Sequence, residues 1–298
     1  MKNEYGILLS AYGQKYIEES KVLVKSIRKH MPSLDVALVT DGSTEVPEGL
    51  YDHVRRVNLE DIIPSIDGVE CAEIISKSSI HTPKMKGFFF KIKSMSLSPF
   101  SRTLFLDTDT IIGHPVNDVF HLLEKYDVVV GYAPTKTPSS IGLKPINEIE
   151  KHAAVPRINT GVVGFSESAV CDGFFSEWEK LLISGLNRGM HISRPKYSDQ
   201  AEFRRLIWNQ KSSLFVLPVE YHLRSGNTAV LEGPVRILHG RPSGGREKLI
   251  DFLNSTEENR IWIASEGMLK SSDDYNVTHS YTSYSNSSML GSIASAGI

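Results

Sequence analysis

The sequence predicts an α/β fold, a central, mostly parallel sheet flanked by helices, and three observations carry that prediction. The first forty residues alternate an apolar strand, an amphipathic helix and a second apolar strand, the βαβ unit of a parallel sheet covered on both faces. Further short apolar runs recur at residues 103–112, 127–133 and 160–165, and helical periodicity returns before and after them. The run from Thr103 to Leu106 drives straight into Asp107 and Asp109, two carboxylates spaced i, i+2.

Taken in order, Gly6 to Ala11 reads as a buried strand. From Gln14 to Met31 apolar residues recur at Ile17, Val24, Ile27 and Met31, and Val22 and Leu23 widen the stripe. Charges fill the opposite face, so this is an amphipathic helix, closed by Pro32. Leu34 to Thr40 is a second strand turned by Asp41 and Gly42, and Val54 to Leu59 a short third one. After an irregular connection over 60–84, Phe88, Ile92 and Met95 fall at helical spacing, and the helix must stop before Pro99. Asp127 to Ala133 and Thr160 to Phe165 read as strands, separated by a long excursion over 134–158 of the kind that often forms a lid. A helix over about 169–183 follows, then a loop over 184–197 and a helix from Asp199 to Asn209. Leu214 to Leu217 and Val235 to His239 are short strands, and 247–264 reads as helix. From about Ser265 the composition turns to Ser, Asn, Tyr, Thr and Gly. The expectation is therefore one domain over 1–264 and a weakly structured or partner-docking tail over 265–298.

Composition narrows the class. With 298 residues there is ample core for one large domain, and 40% hydrophobic with 23% charged residues describes an ordinary globule. A formal charge of -2 argues against a dedicated nucleic-acid binder, though not against a local basic pocket. Cys71 and Cys171 lie in no metal-ligand or redox spacing and are expected as buried free thiols. Met1 to Tyr5 runs directly into strand-like sequence, and no apolar run reaches membrane length, so the expected location is cytoplasmic, peripheral to a membrane at most. The glycosylation acceptor patterns at Asn254, Asn276 and Asn286 carry no weight without a secretory signal.

The acid pair concentrates the chemistry. Along an extended strand, residues i and i+2 point to one side, so the two carboxylates repel each other and a positive group between them is expected. A hard divalent cation holding phosphate oxygens is the economical choice. The motif alone also fits a structural or turn-capping role. A third reading is the nucleophile motif of haloacid-dehalogenase-type phosphohydrolases, in which the first acid attacks phosphorus and the second is acid/base. That motif usually lies near an N-terminus and carries Thr or Val where this chain has Ile111.

The surroundings of the pair favour the cation. Residues 98–112 closely resemble the Asp-x-Asp region of GT-A-fold (Rossmann-like) glycosyltransferases, and within them glycosyltransferase family 8, the glycogenin and bacterial galactosyltransferase group. Other stretches match in the family's order: 7–27 its first strand and helix, Ile158 to Phe165 its Asn-[Ser/Thr]-Gly strand, Ser198 to Gln200 its Asp-Gln helix start, and Ile237 to Gly240 its late metal-binding histidine. Lys91, sixteen positions before Asp107, lies where the family has its donor-binding lysine. The resemblance covers roughly residues 5–246.

That resemblance implies a metal-dependent transferase that takes a sugar from a nucleotide-diphosphate donor, UDP-linked, to an acceptor hydroxyl with retention. It implies Asp107, Asp109 and His239 as metal ligands; imidazole beside carboxylates favours Mn²⁺ over Mg²⁺. Asp107 would also reach the ribose, with Thr108 beside it. Ser10, Ala11, Tyr12 and Tyr16 would line the nucleobase, and Asn159 and Gly161 would flank the sugar. Lys91, Asp199 and Gln200 would serve the reacting end, the first on phosphate or sugar, the second on sugar hydroxyls, the third near the reacting carbon. Plain structural roles stand beside these: a strand-end histidine, a surface lysine, a core-covering tyrosine, and a helix N-cap for Asp199. Where the family reads Gly then Lys-Pro-Trp past its histidine, this chain has His239 to Arg246 with two arginines, so Arg246 or Arg241 would supply the diphosphate's positive charge. The implied partners are the donor and a glycan, glycolipid or protein acceptor, with no nucleic acid; a homo-oligomer is compatible. A non-catalytic nucleotide-sugar-binding protein is the remaining alternative.

Overall fold

The computed structural model describes residues 3–58, 82–133, 158–187, 199–209, 212–271 and 277–280. Among these a seven-stranded sheet forms the frame, in the order β3-β2-β1-β4-β7-β6-β8. The strands are β1 (Asn3–Ala11), β2 (Val36–Asp41), β3 (His53–Val57), β4 (Phe100–Leu106), β6 (Val128–Tyr132), β7 (Ile158–Ser166) and β8 (Leu214–Leu217), with the short β5 (Thr110–Ile112) outside the sheet. β1, β2, β3 and β4 pair in parallel, as do β6 and β8; β7 runs antiparallel to both β4 and β6. The mostly parallel expectation is met, with one reversed strand in the middle.

Central strands are apolar throughout because both faces are covered. Leu8 and Phe105 point into a cluster with Phe89, Ile92, Met95, Phe174, Trp178 and Phe203. These come from α2 (Thr82–Ser96), α5 (Phe174–Asn187) and α6 (Gln200–Asn209). Ile7, Leu9, Leu104 and Leu106 point the other way, against Ile17, Val24 and Ile27 of α1 (Gln14–His30) and Val119 and Phe120 of α3 (Asp118–Leu122). The period-2 alternation of β1 and β4 thus divides the two cores.

A smaller unit closes one end. The three-stranded sheet β5-β11-β9 combines β5 with β9 (Leu223–Arg224) and β11 (Ile237–His239). A four-stranded sheet combines β10 (Ala229–Leu231), β12 (Arg260–Ile263), β13 (Met268–Ser271) and β14 (Val277–Ser280). Ile111, Leu238 and Trp262 pack there with Leu249 of α7 (Arg246–Leu253).

Several expectations are corrected. The helix expected over 169–183 is two, α4 (Glu167–Cys171) and α5, because Gly173 takes φ +77 between them. Helix over 247–264 stops at Leu253; beyond it Arg260 and Trp262 are buried and Ile261 and Ile263 half-buried, the alternation of a strand. Residues 268–271 and 277–280, expected in a weakly structured tail, are paired strands that extend the same sheet. Cys171, expected buried, is exposed at the end of a five-residue helix in which Ala169 is the buried position. Cys71, most of the 60–84 connection, nearly all of the 134–158 excursion, residues 188–198 and the end of the tail lie outside the described residues. No helix among the described residues is long and apolar enough to cross a membrane.

Candidate active site

The acid pair sits where β4 ends. Strand geometry stops at Leu106, and residues 107–109 form a turn in which Thr110 donates both its backbone N–H and its hydroxyl to the Asp107 carbonyl. The side chains therefore converge through a turn and not, as expected, along an extended strand. β5 then leaves the main sheet and pairs antiparallel with β11, His239 opposite Thr110. Gly240, at φ +120, donates its N–H to the Asp109 carbonyl. In this way a residue 130 positions downstream is seated beside the acids.

Each carboxylate has one oxygen held by a basic side chain. Lys91 Nζ lies 2.8 Å from Asp107 Oδ1, and Arg241 Nη1 lies 2.8 Å from Asp109 Oδ2. The other two oxygens face His239 Nε2, 3.9 Å from Asp107 Oδ2 and 3.1 Å from Asp109 Oδ1. The three side chains offer ligand atoms within 4.8 Å of one another. Two carboxylate oxygens and an imidazole nitrogen at that spacing fit a divalent cation of the Mn²⁺ or Mg²⁺ type, with room on the pocket side for ligands from elsewhere. Gly161 makes the approach possible: a Cβ there would stand 2.3 Å from His239 Cε1 and 2.8 Å from Asp107 Oδ2.

The electrostatics follow from this packing. Burial, with the Asp109 charge alongside, pushes the Asp107 carboxyl up in spite of Lys91 and His239. For Asp109 the balance reverses: burial is outweighed by the His239 hydrogen bond and the charges of His239 and Arg241, which hold it well below the usual carboxylate range. Burial would lower the Lys91 ammonium, yet Asp107 and Asp199 overcome it and hold the lysine firmly charged.

A pocket of about 750 Å³ opens over these groups. Ser10, Tyr12 and Tyr16 line it from the end of β1 and the start of α1; Tyr12 packs against Phe90 at 5.5 Å. Lys91, Asp107, Thr108, Asp109, Asn159, Asp199, Gln200 and His239 line it as well. Asp199, almost completely buried, accepts from the Thr160 hydroxyl at 2.7 Å and lies 3.8 Å from Lys91; its backbone carbonyl accepts from Phe203 N–H at the start of α6. Asn159 accepts the Gly161 N–H through its side-chain oxygen, and the Thr108 hydroxyl donates to Glu19.

Three expected residues do not line the pocket: Ala11, Arg246 and Gly161, which is buried against His239 and Asp107. Ala11 is buried in the core beneath the strand end. Arg246 points its guanidinium at the carbonyls of Thr108, Thr110 and Glu19, bracing the acid-bearing turn from behind, and it is Arg241 that faces the pocket. Sequence reasoning missed Arg224, which lines the pocket, Glu19, which grips Arg241 at 2.5 and 2.8 Å, and His222, whose ring lies behind His239. Glu19 looks like one more charge on the solvated face of α1, and a lone histidine or arginine near a two-residue strand has no pattern to flag it.

No known family's sequence pattern matches the chain, and no curated protein sequence matches it. Solved structures do. Mouse xyloside xylosyltransferase 1 in its apo form is similar with a TM-score of 0.52 at 13% identity, over 80% of this chain and 97% of that one. The apo WbbM bifunctional glycosyltransferase follows at TM-score 0.45 and 12% identity, over 76% of this chain and 41% of that one. The glycosyltransferase GlyE of Streptococcus pneumoniae TIGR4 has the same TM-score at 15% identity, over 75% and 48%. At such identities the likeness is one of fold, and the protein has a glycosyltransferase fold of the GT-A type.

Proposed function

We propose that this protein is a metal-dependent glycosyltransferase of the family 8 kind, moving a sugar from a UDP-sugar to an acceptor hydroxyl on a glycan, glycolipid or protein, with retention at the anomeric carbon. One observation carries the reading: on a GT-A sheet, Asp107, Asp109 and His239 converge on one point at the floor of a pocket that also holds Lys91 and Asp199. Asp107, Asp109 and His239 would hold the cation, which supplies charge neutralisation to the departing diphosphate.

The chain's own groups divide the remaining work. Tyr12 and Tyr16 present aromatic faces to a base, and Tyr16, 39% exposed, is open to stacking. Arg241 and Arg224 bring guanidinium charge to the pocket, suited to phosphate oxygens. Lys91, held charged between Asp107 and Asp199, lies where it can donate to a phosphate or sugar oxygen. Asp199 and Asn159 would meet sugar hydroxyls, and Gln200, at the first turn of α6 and on the pocket wall, would bring a neutral carbonyl near the reacting carbon. The phosphohydrolase alternative has less support, since both oxygens of Asp109 and one of Asp107 are engaged by basic groups.

A donor screen tests the proposal. Melting temperatures are measured with Mn²⁺ and a panel of UDP- and GDP-sugars, and the expected result is a rise that requires both metal and a UDP-sugar. The responding donor is then followed for hydrolysis or transfer. Cleavage of simple phosphate monoesters with no response to sugar nucleotides would select the phosphohydrolase. Binding without turnover on any acceptor would select a nucleotide-sugar-binding protein.

A further inference from the structure

Behind His239 lies a second imidazole that touches neither the pocket nor the acids. His222 is wholly buried; its Nε2 is 2.9 Å from His239 Nδ1 and its Nδ1 is 2.8 Å from the Tyr132 carbonyl oxygen. The site is built to hold the ring. A Cβ on Gly131 would stand 2.6 Å from His222 Cγ, so glycine makes the room, and the β6–β7 register shifts between Val130 and Gly131, just ahead of that carbonyl.

The direction of these bonds follows from donor chemistry. A carbonyl oxygen only accepts, so His222 Nδ1 carries a hydrogen. The ring is wholly buried, and its nitrogens meet that carbonyl and the His239 ring instead of a carboxylate, so with its one hydrogen on Nδ1 its Nε2 is an acceptor. Its partner, His239 Nδ1, must then donate. When a cation replaces the hydrogen between Nε2 and Asp109 Oδ1, His239 keeps its hydrogen on Nδ1 and turns its Nε2 lone pair to the point shared with Asp109 Oδ1 and Asp107 Oδ2. The other tautomer would point an N–H at Asp109 and leave nothing to ligate with.

Resting on the metal-site reading above, we propose that His222 is a positioning residue: by relaying the Tyr132 carbonyl it fixes His239 in the Nδ1–H tautomer, and so presents the Nε2 lone pair to a divalent cation held with Asp107 and Asp109. Metal-ligating histidines commonly donate their second nitrogen to a carboxylate, carbonyl or water. Here a neutral imidazole passes the carbonyl's polarity on without placing another negative charge near two acids.

The test reads metal affinity, not turnover. Mn²⁺ is titrated into wild type, His222→Phe, His222→Gln and Asp109→Asn, and free Mn²⁺ is followed by its electron paramagnetic resonance signal, with melting curves of the metal-free proteins alongside. His222→Phe keeps a ring but loses the acceptor, and should weaken Mn²⁺ by about 10- to 100-fold. His222→Gln, whose amide oxygen can accept from His239 Nδ1, should restore affinity to near wild type. Nitrogen-15 spectra of the Mg²⁺-loaded wild type should show the His239 ring protonated on Nδ1. Unchanged Mn²⁺ affinity in a folded His222→Phe protein, or a His239 protonated on Nε2 in the Mg²⁺-loaded wild type, would overturn the proposal. If wild type binds Mn²⁺, Asp109→Asn abolishes it and His222→Phe does not, the site stands and the proposal alone falls. If wild type binds no Mn²⁺, the site reading falls and takes the proposal with it.

Discussion

Asp41 and Asp109 are both carboxylates sunk at the ends of sheet strands, and both are held below the usual carboxylate range, yet by opposite means. Asp41 closes β2 and accepts hydrogen bonds from neutral donors: the N–H groups of Gly13, Ser43 and Thr44 and the hydroxyls of Ser43 and Thr44. Asp109 is held by an imidazole and by a guanidinium that is half exposed and shared with Glu19, and Asp107 crowds it with like charge. Neutral donors complete a carboxylate's shell and leave it nothing further to bind. Charged partners offset the acid pair while leaving two oxygens turned inward towards a nitrogen, an arrangement that a cation can enter. One carboxylate is a rivet between two loops; the other belongs to a candidate cation receptor.

Breaking the receptor should have the largest effect on binding and little on folding. Asp109→Asn removes one of three ligands and half of the site's negative charge. Mn²⁺ binding should fall below detection by titration calorimetry, while the metal-free melting temperature changes little because the repulsion from Asp107 is relieved and Arg241, losing Asp109, keeps Glu19. A variant that unfolds, or one that still binds Mn²⁺ like wild type, would erase the distinction between the two carboxylates. Gly161→Ala is a subtler break. The added methyl must displace His239 or Asp107, and Gly161, within β7, has no positive φ, so its backbone tolerates alanine. The expected result is at least a tenfold loss of Mn²⁺ affinity, roughly the cost of disturbing a ligand's support, with overpacking costing about 1–3 kcal/mol in denaturant titrations.

What the sequence made legible follows the same division. β1, α1, β2 and the apolar runs behind β4, β6 and β7 announce themselves because each is buried on a face that its own periodicity defines. β9 and β10 do not, since two or three residues have no period of their own and are strands only by pairing with β11 and β12. Asp107, Asp109, Asn159, Asp199 and His239 were placed by ordered short motifs, and the fold brings them to one pocket. Their supports were invisible. Whether Arg241 or Arg246 reaches the pocket depends on the turn at Gly240 and Gly245, and His222 matters only because β6 yields a carbonyl behind it. Asp41 was legible as the marker of a turn, but not as an anchor for the Gly13 loop, whose contact with it spans the β1–α1–β2 unit.

Asp41 offers the smallest effect and the cleanest contrast. Its carboxyl is pulled down to about 2: burial would raise it, but the donors of Ser43, Thr44 and Gly13 prevail. A carboxylate whose folded value lies below its unfolded one, about 3.9, contributes stability that is complete above pH 4 and is lost as pH falls from about 4 towards 2. The shift corresponds to about 2 kcal/mol. Asp41→Asn, which has the shape of the protonated acid, should cost about that much at pH 7 in urea unfolding. The gap from wild type should close as pH approaches 2, because protonation makes the wild-type side chain equivalent to the variant's. Mn²⁺ affinity should stay within a few-fold of wild type, since the Gly13 loop lies at the Tyr12 and Tyr16 end of the pocket and not at the acids. A gap that persists in acid would assign Asp41 a role in packing instead of in charge, and a collapse of Mn²⁺ binding would show that rivet and receptor are one cooperative unit.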